Sequence, residues 1–270
     1  MKRAVMVFVL AGLVGAACAK TSSGAPRLSA VPSGTLTVFA ASSLTGAFTR
    51  IGRDFEAANP GTTVAFNFGP SDGLAGQIES EGTADVFASA STSWMDDVQA
   101  KVGVSGRADF AQNRLVVITP PSNPAHISSL TDLARPGVQL VLAAPGVPAG
   151  DYARQMLQAA GIAKAGAASV VSNEQDDASV VAKVTSGEAD AGIVYTSDVT
   201  VQIAPQVHVA QIPNDVNVLA TYPIAAVNGS PNVATALAFI TYVTGPQGQA
   251  TLRSFGFLPP PGGPAASPSP

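Results

Sequence analysis

The chain is poor in what metal, redox or nucleic-acid chemistry requires. It has one cysteine, Cys18, and two histidines, His126 and His208, in 270 residues. A single cysteine forms no intramolecular disulfide and no cysteine cluster. Two histidines far apart in sequence, with no His/Asp/Glu group at ligand spacing, make no metal site. Charged residues are only 12% of the chain and aromatics 6%. There is no basic patch and the balance is acidic, which argues against nucleic acid or anionic lipid as a partner. There is also no P-loop and no dinucleotide fingerprint. The apolar run Ala4 to Ala16 is too short to span a bilayer.

What is present begins with a leader. Lys2 and Arg3 precede that apolar run, and Gly15-Ala16-Ala17 leads into Cys18, so residues 1–17 read as a secretory signal. The position of Cys18 suggests lipidation as the first mature residue, although Gly15 stands where such sites usually carry Leu. Residues 18–33, rich in Ser, Gly, Ala and Pro, read as a flexible tether, and 259–270 as a disordered Pro/Ala/Ser/Gly tail. Removing the leader leaves twelve basic and eighteen acidic residues. Any anion bound by such a chain is held by local donors, against the overall field.

The core between tether and tail has room for two lobes. Strands are expected at Thr35–Ala40, Thr63–Phe68 and Ala84–Ser89, with helices after each, the first carrying Leu44, Ala47, Phe48, Ile51 and Phe55 at helical spacing. This β-α-β-α-β-α order predicts a parallel sheet wrapped by helices. Leu115–Thr119 reads as the strand that crosses to a second lobe. There, strands at Val138–Ala143, Ala191–Tyr195 and Val207–Ile212 accompany helices at Tyr152–Ala160 and Ala178–Ser186. Tyr222–Val227 reads as the return strand, and Val233–Tyr242 and Gln247–Ser254 as closing helices. The expected lobes are 34–116 with 222–258, and 117–221, with a ligand cleft between them.

Four turns stand at expected helix starts: Ala41-Ser42-Ser43-Leu44, Gly69-Pro70-Ser71-Asp72-Gly73, Val147-Pro148-Ala149-Gly150 and Gln175-Asp176-Asp177-Ala178. Each offers backbone N–H groups at the positive end of a helix dipole, a means of holding a small anion without a cation. Taken singly, Ser43 and Ser71 read as helix caps, Asp176-Asp177 as a capping pair, and Tyr195 as a core residue. Asp96-Asp97 beside Trp94 reads as a solvated face. Gly69-Pro70-Ser71-Asp72-Gly73 also fits a nucleophile elbow, with Asp198 and His208 completing the order Ser, Asp, His. Against that hydrolase stand His208 inside an alternating strand, the lack of an HGGG-like segment before Ser71, and Pro70 directly before the serine.

Taken together, Val38-Phe39-Ala40-Ala41-Ser42-Ser43-Leu44, Ala84-Asp85-Val86-Phe87-Ala88-Ser89-Ala90, Val147-Pro148-Ala149-Gly150 and Gly187 to Asp198 resemble the molybdate-binding proteins of ABC transporters, the ModA-like group with the type II periplasmic binding fold. The resemblance covers about Leu36 to Phe257. It implies an α/β, two-lobed, extracytoplasmic receptor that is no enzyme, uses no cofactor and works as a monomer. Such a receptor closes on molybdate or tungstate and delivers it to an ABC permease, touching the membrane only through a lipid anchor at Cys18. Ser43 and Ser71 would supply hydroxyl and backbone N–H, Ala149 and Asp177 backbone N–H, and Tyr195 its phenolic O–H, with no protein ligand to molybdenum itself. Sulfate or phosphate is the alternative ligand. One residue departs from the family: Asp177 stands where an apolar residue is usual. Its carboxylate must turn away from a dianion unless it is protonated, whereas an accepting carboxylate favours an oxyanion that keeps a proton.

Overall fold

The computed structural model describes Met1 and residues 33–263. The signal at 1–17, Cys18, the tether as far as residue 32 and the tail from residue 264 lie outside the described residues. In the first group of strands, β1 (Gly34–Ala41) lies between β2 (Thr62–Gly69) and β3 (Val86–Ala88), parallel to both. Helices α1 (Thr45–Ala58), α2 (Ser71–Glu81) and α3 (Thr92–Lys101) follow these strands in turn. β1 reads as an almost unbroken apolar run because helices cover both of its faces, and Leu36, Val38 and Ala40 are fully buried. The apolar face of α1 inserts Phe48 among Phe66, Phe110 and Phe239. Each such ring contributes about 2–3 kcal/mol of burial.

The second group centres on β5 (Leu140–Ala143), parallel to β6 (Val170–Glu174) on one side and β7 (Ala191–Tyr195) on the other. Helices α4 (Pro148–Ala159), α5 (Ala163–Ser169) and α6 (Asp177–Thr185) flank it. The two groups are joined by β4 (Val104–Thr119) and β9 (Leu219–Val227), and β8 (His208–Gln211) pairs with β4 beyond the crossing. Up to Arg114, β4 pairs antiparallel with β9; from Leu115 it pairs with β7 and β8. One strand therefore threads both lobes, and each lobe's parallel core has an antiparallel strand at its inner margin. α7 (Val233–Thr244) and α8 (Pro246–Ser254) pack back on α1, β4 and β9.

Two stretches carry elements without a clear sequence pattern. The first part of β4, Val104–Arg114, has register shifts between Ser105 and Ala108 and between Asp109 and Ala111. These bulges break the two-residue alternation that marks a strand. α5 and β6 lack large apolar residues at a helical or strand period. β6 lies at the margin of its sheet, half-exposed along its length.

Candidate functional site

Three helices begin where the lobes face one another, and each leaves N–H groups open. In α2 the first intrahelical bond is Leu74 N–H to Pro70 O, which leaves the N–H groups of Ser71, Asp72 and Gly73 without an acceptor among the described residues. In α4 the first is Asp151 N–H to Val147 O, leaving those of Ala149 and Gly150 open. In α6, Asp176 accepts from Ser179 N–H through its side chain and from Val180 N–H through its carbonyl, leaving those of Asp177 and Ala178. The fourth turn, Ser42–Leu44, is a single 3-10 turn that runs into α1. All three helix starts present a positive dipole end.

The five residues singled out in the sequence are all buried: Ser43, Ser71, Ala149, Asp177 and Tyr195 are 7%, 1%, 1%, 4% and 0% exposed. Neither serine caps a helix. Ser71 Oγ accepts from Ala90 N–H at 3.0 Å, which leaves its own hydrogen to point elsewhere. Ser43 Oγ lies 2.9 Å from the hydroxyl of Tyr222 on β9. Asn113 lies behind that bond. Its Oδ1 accepts from Arg114 N–H at 2.9 Å, so its Nδ2 faces Ser197 Oγ at 2.8 Å and Tyr222 Oη at 3.5 Å. The Ser43–Tyr222 bond uses one of their two hydroxyl hydrogens, whichever group donates, and leaves the other for a ligand.

Tyr195 ends β7, its ring 5.8 Å from that of Tyr222 in an edge arrangement. Its hydroxyl is buried with no partner among the described residues, and the same holds for Asp177 Oδ1 and Asp72 Oδ1. Buried unpaired polar atoms each cost about 1–3 kcal/mol, so they are rare in native proteins and mark positions with a task. Burial, reinforced by Tyr222 and Asp177, holds the Tyr195 phenol well above its ordinary value, so it remains an O–H donor. The Tyr222 phenol is raised by burial as well. Burial also drives the Asp177 carboxyl far above the usual carboxylate range, helped by the charges of Asp198 and Asp176. Asp198, half-buried, is pushed up to about 7 by desolvation even though it accepts Tyr195 N–H at 2.8 Å.

No lysine or arginine belongs to the four turns. Arg154, in the second turn of α4, directs its guanidinium to the carbonyls of Ala143 and Gly150 and to the side chain of Asn173. Gly150 itself tolerates no side chain. A Cβ there would lie 2.2 Å from Ala143 O and 2.4 Å from Ala144 O, because the helix start packs directly on the preceding backbone. Across the cleft, Trp94 Nε1 on α3 donates to Gly146 O at 2.9 Å, and a Cβ at Gly146 would lie 3.7 Å from Asp72 Oδ2. The two lobes thus touch beside the helix starts.

The structure splits the expected Asp176-Asp177 capping pair. Asp176 is the cap, whereas Asp177 is buried and its Oδ1 has no partner among the described residues. Asp96 and Asp97 form the expected exposed face, paired with Arg107 and Lys101, but Trp94 turns from it to the opposite lobe. The hydrolase arrangement is not assembled. Ser71 Oγ serves Ala90, Asp198 serves Tyr195, and His208 is exposed on β8. Sequence reasoning missed Tyr222, Asn113 and Ser197. Their signal was faint, since Tyr222 and Asn113 sit on long strands and Ser197 directly follows the Tyr195-Thr196 pair.

A two-lobed α/β protein with converging neutral donors between its lobes is built as a receptor for a small solute. The family model for bacterial extracellular solute-binding proteins matches residues 36–258, and the chain belongs to that family. It is 39% identical, over 95% of its length and 96% of the other, to a protein of Mycobacterium tuberculosis (strain ATCC 25618 / H37Rv) named molybdate-binding protein ModA. It is 36% identical, over 83% of its length and 89% of the other, to the Escherichia coli (strain K12) protein of the same name. The structure of the Azotobacter vinelandii periplasmic molybdate-binding protein superposes with a TM-score of 0.74, over 83% of this chain and 99% of that one. Its 20% identity bears on the fold alone. The ModA-like resemblance and the two-lobed type II periplasmic binding fold expected from the sequence are both borne out.

Proposed function

We propose that this chain captures molybdate, and tungstate with it, outside the cytoplasm and hands it to an ABC permease. The observation that carries the reading is the buried set of neutral donors drawn from both lobes. It comprises the hydroxyls of Ser43, Ser71 and Tyr195 and the open N–H groups at Ser71, Ala149 and Asp177. A tetrahedral dianion offers acceptors only, and donors without a counter-charge suit it in a dry cleft. In this reading the protein makes no bond to molybdenum itself, carries no cofactor and catalyses no reaction. The lobes are 34–116 with 222–258, and 117–221. A monomer tethered through lipidated Cys18 keeps the receptor near its permease.

Calorimetric titration of the protein without its leader tests the ligand. A one-to-one binding heat is expected with molybdate and with tungstate. Clear binding of sulfate or phosphate with no heat from molybdate would overturn the assignment. Mass spectrometry of the membrane fraction tests the anchor, where an unmodified Cys18 would remove it.

A further inference from the structure

Asp177 differs from Asp176 and Asp198, the two carboxylates that act on it. It opens α6 with 4% of its surface exposed, and its Oδ1 has no hydrogen-bond partner among the described residues. Its neighbours Asp176 and Asp198 each accept a backbone N–H, from Ser179 and Tyr195. Such bonds stabilise the ionised form, and Oδ1 of Asp177 receives none. Nor is a free cation at hand on the described elements that pack against α6. α6 packs on β4, β5, β6, β7 and the turns at Ser42–Leu44 and Thr196–Asp198. On these elements, Lys183 of α6 pairs with Glu174 of β6 at 3.3 Å, and Arg114 of β4 is bonded to Asn214. Arg107 and Asp109 lie in the part of β4 next to β9, with Arg107 held by Asp96. β5 and the Ser42–Leu44 turn have no ionisable side chain. The remaining ionisable groups that act on this corner are the phenols of Tyr195, Tyr222 and Tyr152.

We infer that Asp177 enters the bound complex as the neutral acid and donates its O–H to an oxygen of the ligand, so that the protein takes up one proton with each oxyanion. The inference rests on the oxyanion reading above. A carboxylate beside a dianion in a dry cleft would repel it, whereas a carboxylic acid adds a donor to a site made of donors. The Tyr195 hydroxyl is the second unpaired donor in the same corner, so the two would serve one ligand together. The proton comes from solvent as the lobes close and returns when they open. Burial already holds this carboxyl well above its ordinary range, in the direction the inference requires. Affinity in this chain is then coupled to pH.

Molybdate titrations between pH 5 and pH 9, in buffers of differing ionisation enthalpy, test this. Affinity should fall as pH rises, approaching tenfold per pH unit, with close to one proton taken up per molybdate on that limb. Asp177→Asn supplies an N–H donor without titrating. It should bind with a pH-independent affinity and no proton uptake, while Asp198→Asn should retain the uptake. Melting curves establish that each variant is folded, and the proton count on the wild-type protein stands without any variant. Wild-type binding with no uptake and no pH dependence would overturn the inference, as would uptake that persists in Asp177→Asn. Failure of the wild type to bind molybdate at any pH would instead overturn the ligand assignment, and this inference with it.

Discussion

The indole N–H of Trp94 donates to the carbonyl of Gly146 at 2.9 Å, joining α3 to the loop that leads into α4. This bond spans the cleft without touching any of the donors within it. It therefore favours the closed arrangement and leaves ligand chemistry alone. Trp94→Phe keeps most of the ring and removes the donor, a loss of about 0.5–1.5 kcal/mol. Stopped-flow measurement should show molybdate leaving several-fold faster, with a smaller change in the association rate. An unchanged off-rate would mean the bond has no part in closure.

Tyr195→Phe should weaken molybdate binding by about 1–3 kcal/mol, because a charged acceptor loses a donor. Apo stability should hold or improve, since the buried unpaired hydroxyl is gone. Calorimetry and thermal melts read the two effects separately. An unchanged dissociation constant would remove Tyr195 from the site.

Tyr222→Phe probes the relay behind Ser43. The ring stays packed against Phe110, Tyr195 and Phe257, so the core is kept. The Ser43 hydroxyl loses its hydrogen-bond partner and is no longer held in place. Affinity should fall by roughly 1 kcal/mol, less than for Tyr195→Phe. A larger loss than at Tyr195 would mean that Tyr222 itself meets the ligand.

The carboxyl of Asp198 has a folded-state value of about 7, raised from 3.8 by burial. A raised carboxyl means the folded protein binds more protons than the unfolded chain between those values. Stability therefore falls as pH rises through that window, by at most about 1.4 kcal/mol per pH unit for one proton. Apo melting temperature should drop from pH 5 to pH 7 more steeply in the wild type than in Asp198→Asn. Parallel profiles would show that Asp198 does not titrate there.

Much of this was legible in the sequence. β1 and β7 announce themselves as apolar runs because helices bury both faces of each sheet, and Ala191–Tyr195 matches the expected strand end for end. The helix starts were legible because Pro, Gly and small polar residues collect where a chain turns from strand to helix. The hydrogen-bond partners were not. Tyr222 lies 179 positions from Ser43, and nothing local to either residue records the contact. The capping pair misled for a related reason: two adjacent aspartates look alike in sequence, but successive residues at a helix start face different surroundings. Only packing decides which of them meets solvent and which is buried.

Gly150 limits how this receptor could be re-engineered. With the carbonyl oxygens of Ala143 and Ala144 where a Cβ would go, that residue of α4 cannot be given a new side chain without displacing backbone. A directed search for altered anion preference should therefore recover changes at Ser43, Ser71, Asp177 and Tyr195, and leave residue 150 untouched. Part of the cleft is an invariant template, and the repertoire of the protein is confined to the residues that surround it.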